Sequence, residues 1–423
     1  MDRVKKSVER VDEVMMRVIL VGVGERGAGY LHALRDQSEG LDAQLVGVVQ
    51  PRQDASVELM QQLQQAKIPL ASSLSEAFQE MGMQADAVVL ASPLQHHFEQ
   101  CYEALSYGCH VLCEKPLASD YVQALTLEKL SMEKGLQLAV AYQHCYSKAL
   151  RSLKQDVLQG RYGKPVSMRA LSLTGRSDLY YQRNRWAGRF YDEEGRCIMD
   201  GVLHNEASHS LQSLLYLLGD DGLDSAADVE TVRGEWCRAH AIQSYDTAVV
   251  SVRTAQCPSV LMAATHNWAG RDTHRYRYVW EHGYAEGDWS QDPRLIVHSE
   301  DGIIDYGDCA CPPREELQIF LDCLRSGQPV PCSVHSAKAE VAVCTGMYLS
   351  AGWIRTLPEH ELQLVRGAAH TPDEGGVFPT SPRLSALLEL CYQKGKLPFD
   401  LGGFLGGESK AVTMEAILRG IEG

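Results

Sequence analysis

The chain lacks the features that mark several protein classes. It has no CxxC pair and no His/Cys spacing typical of zinc among its 13 cysteines, whose odd number is unlike a disulfide framework. They read as reduced thiols of a cytoplasmic protein, and no metal site is expected. No stretch of about 18 uncharged apolar residues occurs, and the N-terminal MDRVKKSVERVDEVMM carries no apolar signal core. Membrane spanning and secretion are therefore not expected. Positive charge is also short: 40 Lys and Arg stand against 55 Asp and Glu, a formal net charge of −15. A phosphate backbone would be repelled at long range, which argues against nucleic acid as a partner. No internal repeat or low-complexity linker is present.

What remains is an ordinary globular composition, 45% apolar and 22% charged. Its 423 residues suffice for two or three domains and a large core. From Met16 to about Tyr142, short β-branched runs alternate with helical periods. Arg17 to Val21, Gln44 to Val49, Ala87 to Ala91, His110 to Cys113 and Gln137 to Ala141 read as strands. Segments near 27–36, 54–66, 74–82, 95–107 and 120–134 read as helices. This βαβ repetition predicts a buried parallel sheet.

After Tyr142 the pattern changes. A helix over 149–159, a strand over 165–174, a long loop over 175–200 and a helix from about 202 to 218 precede several long strands between 227 and 302. Period-two runs such as Thr247 to Val252, with no helix between strands, predict a mostly antiparallel sheet. Helices over 313–325 and 334–353 follow, then a Pro/Gly-rich tail with short helical pieces. The expected fold is α/β: a Rossmann parallel sheet in residues 1–143, an α+β domain with a mostly antiparallel open sheet in 144–358, and an extension over 359–423.

The first strand runs directly into Gly22-Val23-Gly24-Glu25-Arg26-Gly27 and then into a helix. A GxGxxG motif is weak alone, but strand before, helix after and an early place in a βαβ series make it a dinucleotide fingerprint. Gly22 permits the tight turn, Gly24 the approach of a pyrophosphate, and Gly27 close packing of helix on strand. The whole loop, Glu25 and Arg26 included, is assigned to the cofactor, held at the helix N-terminus. At the end of the second strand, where an acid would meet the ribose of NAD, stand Gln50 and Arg52. Gln50 can bond a hydroxyl and Arg52 can pair a 2′-phosphate, so the cofactor is NAD or NADP with a lean to NADP; Arg52 as a solvated loop charge is the alternative.

Four features in order, Gly22 to Gly27, Ser92-Pro93 with His97, Cys113-Glu114-Lys115-Pro116-Leu117, and Asn205 to His209, resemble the glucose-fructose oxidoreductase, inositol dehydrogenase and MocA family (Gfo/Idh/MocA). The resemblance covers about residues 16 to 355 and implies an NAD(P)-dependent oxidoreductase of sugars and cyclitols. It also implies a homo-oligomer, dimer or tetramer, with contacts on the open sheet. Ser92, Pro93 and Glu114 lie at carboxyl ends of parallel strands, where ligands bind in such folds. By the resemblance these turns face the nicotinamide, and Lys115 contacts substrate and cofactor. A cation there would favour developing alkoxide charge. His97 is placed with the cofactor, or is a plain surface or capping histidine.

Asn205 and His209, four apart on the expected helix, share one face. The resemblance makes His209 the acid/base and Asn205 its substrate-orienting companion, with His204 as support. Oxidising a secondary alcohol removes a proton from oxygen as well as a hydride from carbon, and a neutral histidine suits the proton step. Gln212 stands where relatives have an acid, leaving His209 without an evident carboxylate partner; a satisfied core histidine is the alternative. In the loop before that helix, Arg183, Arg185 and Trp186 suggest a polyhydroxylated, possibly acidic substrate, or else a charged surface loop. Tyr142 and Gln143, leaving the sixth strand, would face the same cleft, with core packing the other reading of Tyr142. Two rival functions share these residues: a glycoside hydrolase or lyase with transiently reduced bound NAD, and a non-catalytic nucleotide-binding regulatory protein.

Overall fold

The computed structural model describes residues 15–36, 40–51, 54, 56–367, 375–403 and 405–419. Arg52 lies outside the described residues. The first unit alternates β1 (Met16–Val21), α1 (Glu25–Arg35), β2 (Ala43–Val49), α2 (Val57–Gln65), β3 (Leu70–Ala71), β4 (Ala87–Leu90), α3 (His97–Ser106), β5 (His110–Cys113), α4 (Tyr121–Lys134) and β6 (Leu138–Val140). The six strands form one parallel sheet in the order β3-β2-β1-β4-β5-β6. Its central strands are apolar and buried on both faces, because helices cover both sides. The order reverses direction beside β1, which puts the crevice at the carboxyl ends of β1 and β4.

The chain then forms α5 (Gln143–Tyr146), α6 (Lys148–Leu158), β7 (Pro165–Leu173), α7 (Asp178–Gln182) and α8 (Ser208–Leu218). Next come β8 (Val229–Arg238), β9 (Thr247–Thr254), β10 (Val260–Thr265), β11 (Thr273–Trp280), β12 (Gly283–Asp288), β13 (Arg294–Ser299) and β14 (Gly302–Asp308). Two long helices follow, α9 (Pro313–Ser326) and α10 (Val334–Ser350), then β15 (Arg355–Thr356), β16 (Gln363–Arg366), β17 (Val377–Thr380), α11 (Pro382–Lys394), β18 (Val412–Thr413) and α12 (Met414–Leu418). The second sheet runs β14-β13-β12-β11-β7-β10-β9-β8-β15, with β18 also on β8. It is antiparallel except where β7 meets β10 and β8 meets β15.

Along β7, β9 and β10 the side chains alternate between two packed layers. Met168, Ala170, Val250, Met262 and Ala264 join the main core, while Leu171, Leu173, Val249, Leu261 and Ala263 face a second cluster built by α11. The tail therefore covers part of the face expected to be open. Two other expectations shift in detail. The loop 175–200 contains α7, and the helix expected from 202 begins only at Ser208, after a run of turns that holds His204 and Asn205.

Candidate functional site

Gly22 has a φ of +79°, and a Cβ there would meet Ala91 O at 2.7 Å, so the turn after β1 requires glycine. Gly27 is equally closed: its Cβ would lie 2.1 Å from Gly22 O. Gly24 is the opposite case, with nothing within 4 Å of a Cβ. It is the N-cap of α1 and offers no capping side chain, which leaves first-turn N–H groups facing open space, as an anion site needs. This open cradle fits a dinucleotide pyrophosphate.

The cradle opens into a cleft of about 840 Å³ that runs along the carboxyl ends of the parallel strands to the segment 183–205. Gln50 lines it and accepts Val23 N–H at 3.2 Å, closing the loop. Arg26 also lines it; its guanidinium donates to Glu114 (Nε to Oε1, 2.9 Å) and to Glu316 (Nη2 to Oε2, 3.1 Å), and Tyr30 Oη lies 3.1 and 3.0 Å from the same two carboxylates. Glu114 thus holds Arg26 at the cleft wall. Ser92 and Pro93 line the same wall. His97 is buried, with Nδ1 2.7 Å from Pro116 O and Nε2 2.8 Å from Ser92 O. Both ring nitrogens face backbone carbonyls, so His97 joins the two turns at the cleft wall, and its burial replaces the surface or capping reading.

Lys115 lies at the inner end, ahead of a cis peptide to Pro116. Its Nζ donates to Asn205 O at 2.7 Å. Burial holds its ammonium pKa below the usual lysine value, while Glu206, Glu114, Glu340 and Asp200 act in the other direction. Asn205 Nδ2 donates to Asp200 Oδ1 (2.9 Å) and Tyr180 Oη (3.0 Å). His209, on the first turn of α8, is half-buried and its Nδ1 has no hydrogen-bond partner. Burial pushes its pKa well below the ordinary histidine value, and the charges of Lys115 and His144 add to this. A neutral imidazole with an unused nitrogen, within the field of a lysine, is an arrangement that can take or give a proton.

Tyr142 packs edge-on against His209 (5.9 Å between ring centres) and is fully buried, so it supports the histidine from the core. Gln143, half-buried, begins α5 beside it. Arg183 and Trp186 line the cleft, the guanidinium stacking 3.4 Å above the Tyr180 ring. Arg185 does not join them. It stands exposed and pairs with Glu193 at 3.6 Å, because its neighbours in this irregular loop turn inward. Gln212 is buried and donates to Ser336 Oγ at 3.0 Å, consistent with a structural role.

Sequence reasoning missed several groups. His144, 5.8 Å from the His209 ring, could have been found by the strand-end rule that picked Tyr142 and Gln143. Glu206 pairs with Arg176 (3.2 Å) and His274 (3.4 Å), and Asp200 anchors Asn205; contacts across this much chain leave no local signal.

The fold sets a cleft at the carboxyl ends of a Rossmann-type parallel sheet, lined by Lys115 just beyond β5, with His209 on the first turn of α8. The model of an oxidoreductase family with an NAD-binding Rossmann fold, Gfo/Idh/MocA, matches residues 16–142. Inositol 2-dehydrogenase of Streptomyces avermitilis is 28% identical over 155 residues, 36% of this chain and 43% of that protein. D-glucoside 3-dehydrogenase of Escherichia coli K12 is 28% identical over 209 residues, 48% of this chain and 54% of that protein. The matches thus span about half of these relatives or less. The WlbA dehydrogenase of Bordetella pertussis, solved with NADH and UDP-GlcNAcA, shares the fold with a TM-score of 0.64 at 23% identity, over 79% of this chain and 96% of that one. The match to the Gfo/Idh/MocA model lies within the Rossmann unit of this chain.

Proposed function

We propose that the protein is an NAD(H)-dependent oxidoreductase acting on a secondary alcohol of a sugar, cyclitol or sugar acid, with residues 1–143 for the cofactor, 144–358 for the substrate and 359–423 as a covering extension. The observation that carries this reading is the cleft that begins at the open Gly24 cradle and is lined by Lys115 and Asn205, with the unpartnered Nδ1 of His209 on a ring that feels the charge of Lys115. Gly22, Gly24, Gly27 and Arg26 would hold the pyrophosphate, with Gln50 toward the ribose and Ser92, Pro93 and Glu114 along the inner wall. Asp54, at the Gln50 end of the cleft, would repel a 2′-phosphate, which favours NAD(H) over NADP(H). Bound nicotinamide would supply the hydride acceptor or donor.

The chain's own residues do the rest. Lys115 polarises the reacting hydroxyl and stabilises alkoxide charge, and neutral His209 takes the proton. Asn205 is held by Asp200 and Tyr180 so that its carbonyl fixes Lys115, while Arg183 and Trp186 line the approach of a polyhydroxylated substrate. The same proposal includes a cytoplasmic homo-oligomer, checked by light scattering. The activity is tested by following reduced nicotinamide across polyols, cyclitols and uronates. Lys115→Met is expected to lose turnover on the order of a hundredfold with cofactor affinity unchanged. A variant with undiminished turnover, or a wild-type protein inert to the whole panel, would overturn the reading.

A further inference from the structure

His204 is buried and its two ring nitrogens both face acceptors. Nε2 lies 2.9 Å from Ala118 O and Nδ1 3.1 Å from Glu340 Oε1. A neutral imidazole carries one N–H and can donate to one of these; an imidazolium donates to both. Glu340, on α10, is also buried, and its Oε1 accepts the Cys344 thiol at 3.2 Å. Around the pair stand Asp200, which adds negative potential at His204, the Tyr142 hydroxyl, and Lys115 on the cleft side. His97 provides the comparison: its two acceptors are both carbonyls, and no carboxylate bonds its ring.

The position of this pair matters more than its energy. Ala118 lies three residues beyond Lys115, and Asn205, next after His204, gives its carbonyl to Lys115 Nζ at 2.7 Å. One ring therefore fixes both the base of the lysine turn and the carbonyl that receives the lysine's head. His97 grips the same turn at Pro116 O from the Rossmann side. We propose that His204 and Glu340 form a charged buried strut that positions Lys115, with His204 a positioning residue that does not touch substrate. A lysine needs such a device because its four-carbon stem is flexible and its ammonium is a point charge without directional preference. Buried ion pairs contribute little net stability, and holding one specific arrangement is a role they can serve.

The strut rests on the reading of Lys115 as a catalytic group, so its test uses readouts that need no turnover. In wild-type protein with 15N-labelled histidine, the His204 signals, assigned by their loss in His204→Gln, should show both ring nitrogens protonated at about pH 8, where an unperturbed histidine is neutral. A singly protonated ring would overturn the proposal. So would a bound cation between His204, Glu340 and Cys344, whose ligand atoms lie within 4.8 Å of one another, found by elemental analysis of the purified protein. In Glu340→Gln, which keeps the shape and removes the charge, acylation of Lys115 read by mass spectrometry should rise about fivefold, the size of one lost hydrogen bond, with NADH affinity unchanged. Glu340→Asp should recover part of the protection. Unchanged labelling in a folded Glu340→Gln protein would also overturn the strut. A chain inert to every alcohol but showing the charged ring and the labelling change would overturn the proposed activity and leave the strut standing.

Discussion

At the scale of single residues, the glycine loop separates folding from binding. Gly27→Ala forces a Cβ to 2.1 Å from a backbone oxygen, so the strand and α1 must part; a loss of about 1–3 kcal/mol in unfolding free energy is expected by denaturant titration. Gly24→Ala meets no atom within 4 Å and should melt like wild type, yet it fills the cradle and should weaken NADH binding about tenfold or more by fluorescence titration. Equal effects of the two changes on stability would remove the cradle argument. The site's titration is also decided residue by residue. With its pKa held well below 6.5, His209 is neutral through the mildly acidic range, so oxidation should show no acid limb near the ordinary histidine value. Lys115, lowered from 10.5, loses its charge earlier than a free lysine as pH rises, so the rate should fall on the alkaline side. Lys115→Arg, whose guanidinium stays charged, should retain whatever activity it has to higher pH in a kcat profile.

At the scale of elements, the contact between α1 and α9 carries its own pH signature. Arg26 and Tyr30 reach from α1 to Glu316 on α9, and Gly29 packs close to Pro313. Burial, with Glu114 adding to it, pushes the Glu316 carboxyl up to about 8, against the pull of Arg26. The native state then holds a proton that the unfolded chain releases near 4.5, so this group's contribution is full below 4.5 and is lost as pH rises toward about 8. Glu316→Gln should flatten the fall in Tm over that interval in calorimetry; an unchanged slope would contradict the assignment. The elements themselves were legible to unequal degrees. β1, β2, β4, β5 and β6 stand out in sequence because strands buried on both faces are continuous apolar runs. The two residues of β3 are too few to show a period, and α7 hides in a polar loop. The helix at 202–218 is legible in its apolar stripe but not in its start. The Asn205 carbonyl takes the Lys115 ammonium and the Ser208 hydroxyl (2.7 Å), and its amide turns to Asp200, so the first turns are given over to the site. Lys115, Asn205 and His209 could be picked from motifs. Arg176, Glu206 and His274 meet only through the tertiary fold, and no local pattern announces them.

At the scale of the whole molecule, the tail decides what the second sheet presents to water. Leu171, Leu173, Val249 and Leu261 would form a contiguous apolar patch if α11 did not set Leu384, Leu388 and Cys391 upon them. The tail also reaches the cleft wall: Val377 N–H donates to Asp178 Oδ1 at 2.7 Å, and Asp178 begins the helix whose Tyr180 receives Asn205 Nδ2. Leu388, fully buried, is the central test, since Leu388→Ala should cost about 2–5 kcal/mol by lost burial and the cavity left behind. Removal of residues 359–423 uncovers the whole patch together with the β8 edge that β18 occupies. Such an edge beside an apolar face is a template for association. The net charge of −15 opposes association between whole chains at long range, but screening beyond about 8–10 Å at physiological salt leaves short-range apolar contact to decide. The shortened chain should therefore form larger species in light scattering than the full chain at the same concentration, and more so as salt is raised. If it keeps the mass per chain count of the intact protein at every salt concentration, the tail is an ornament on the fold and the sheet face is soluble without it.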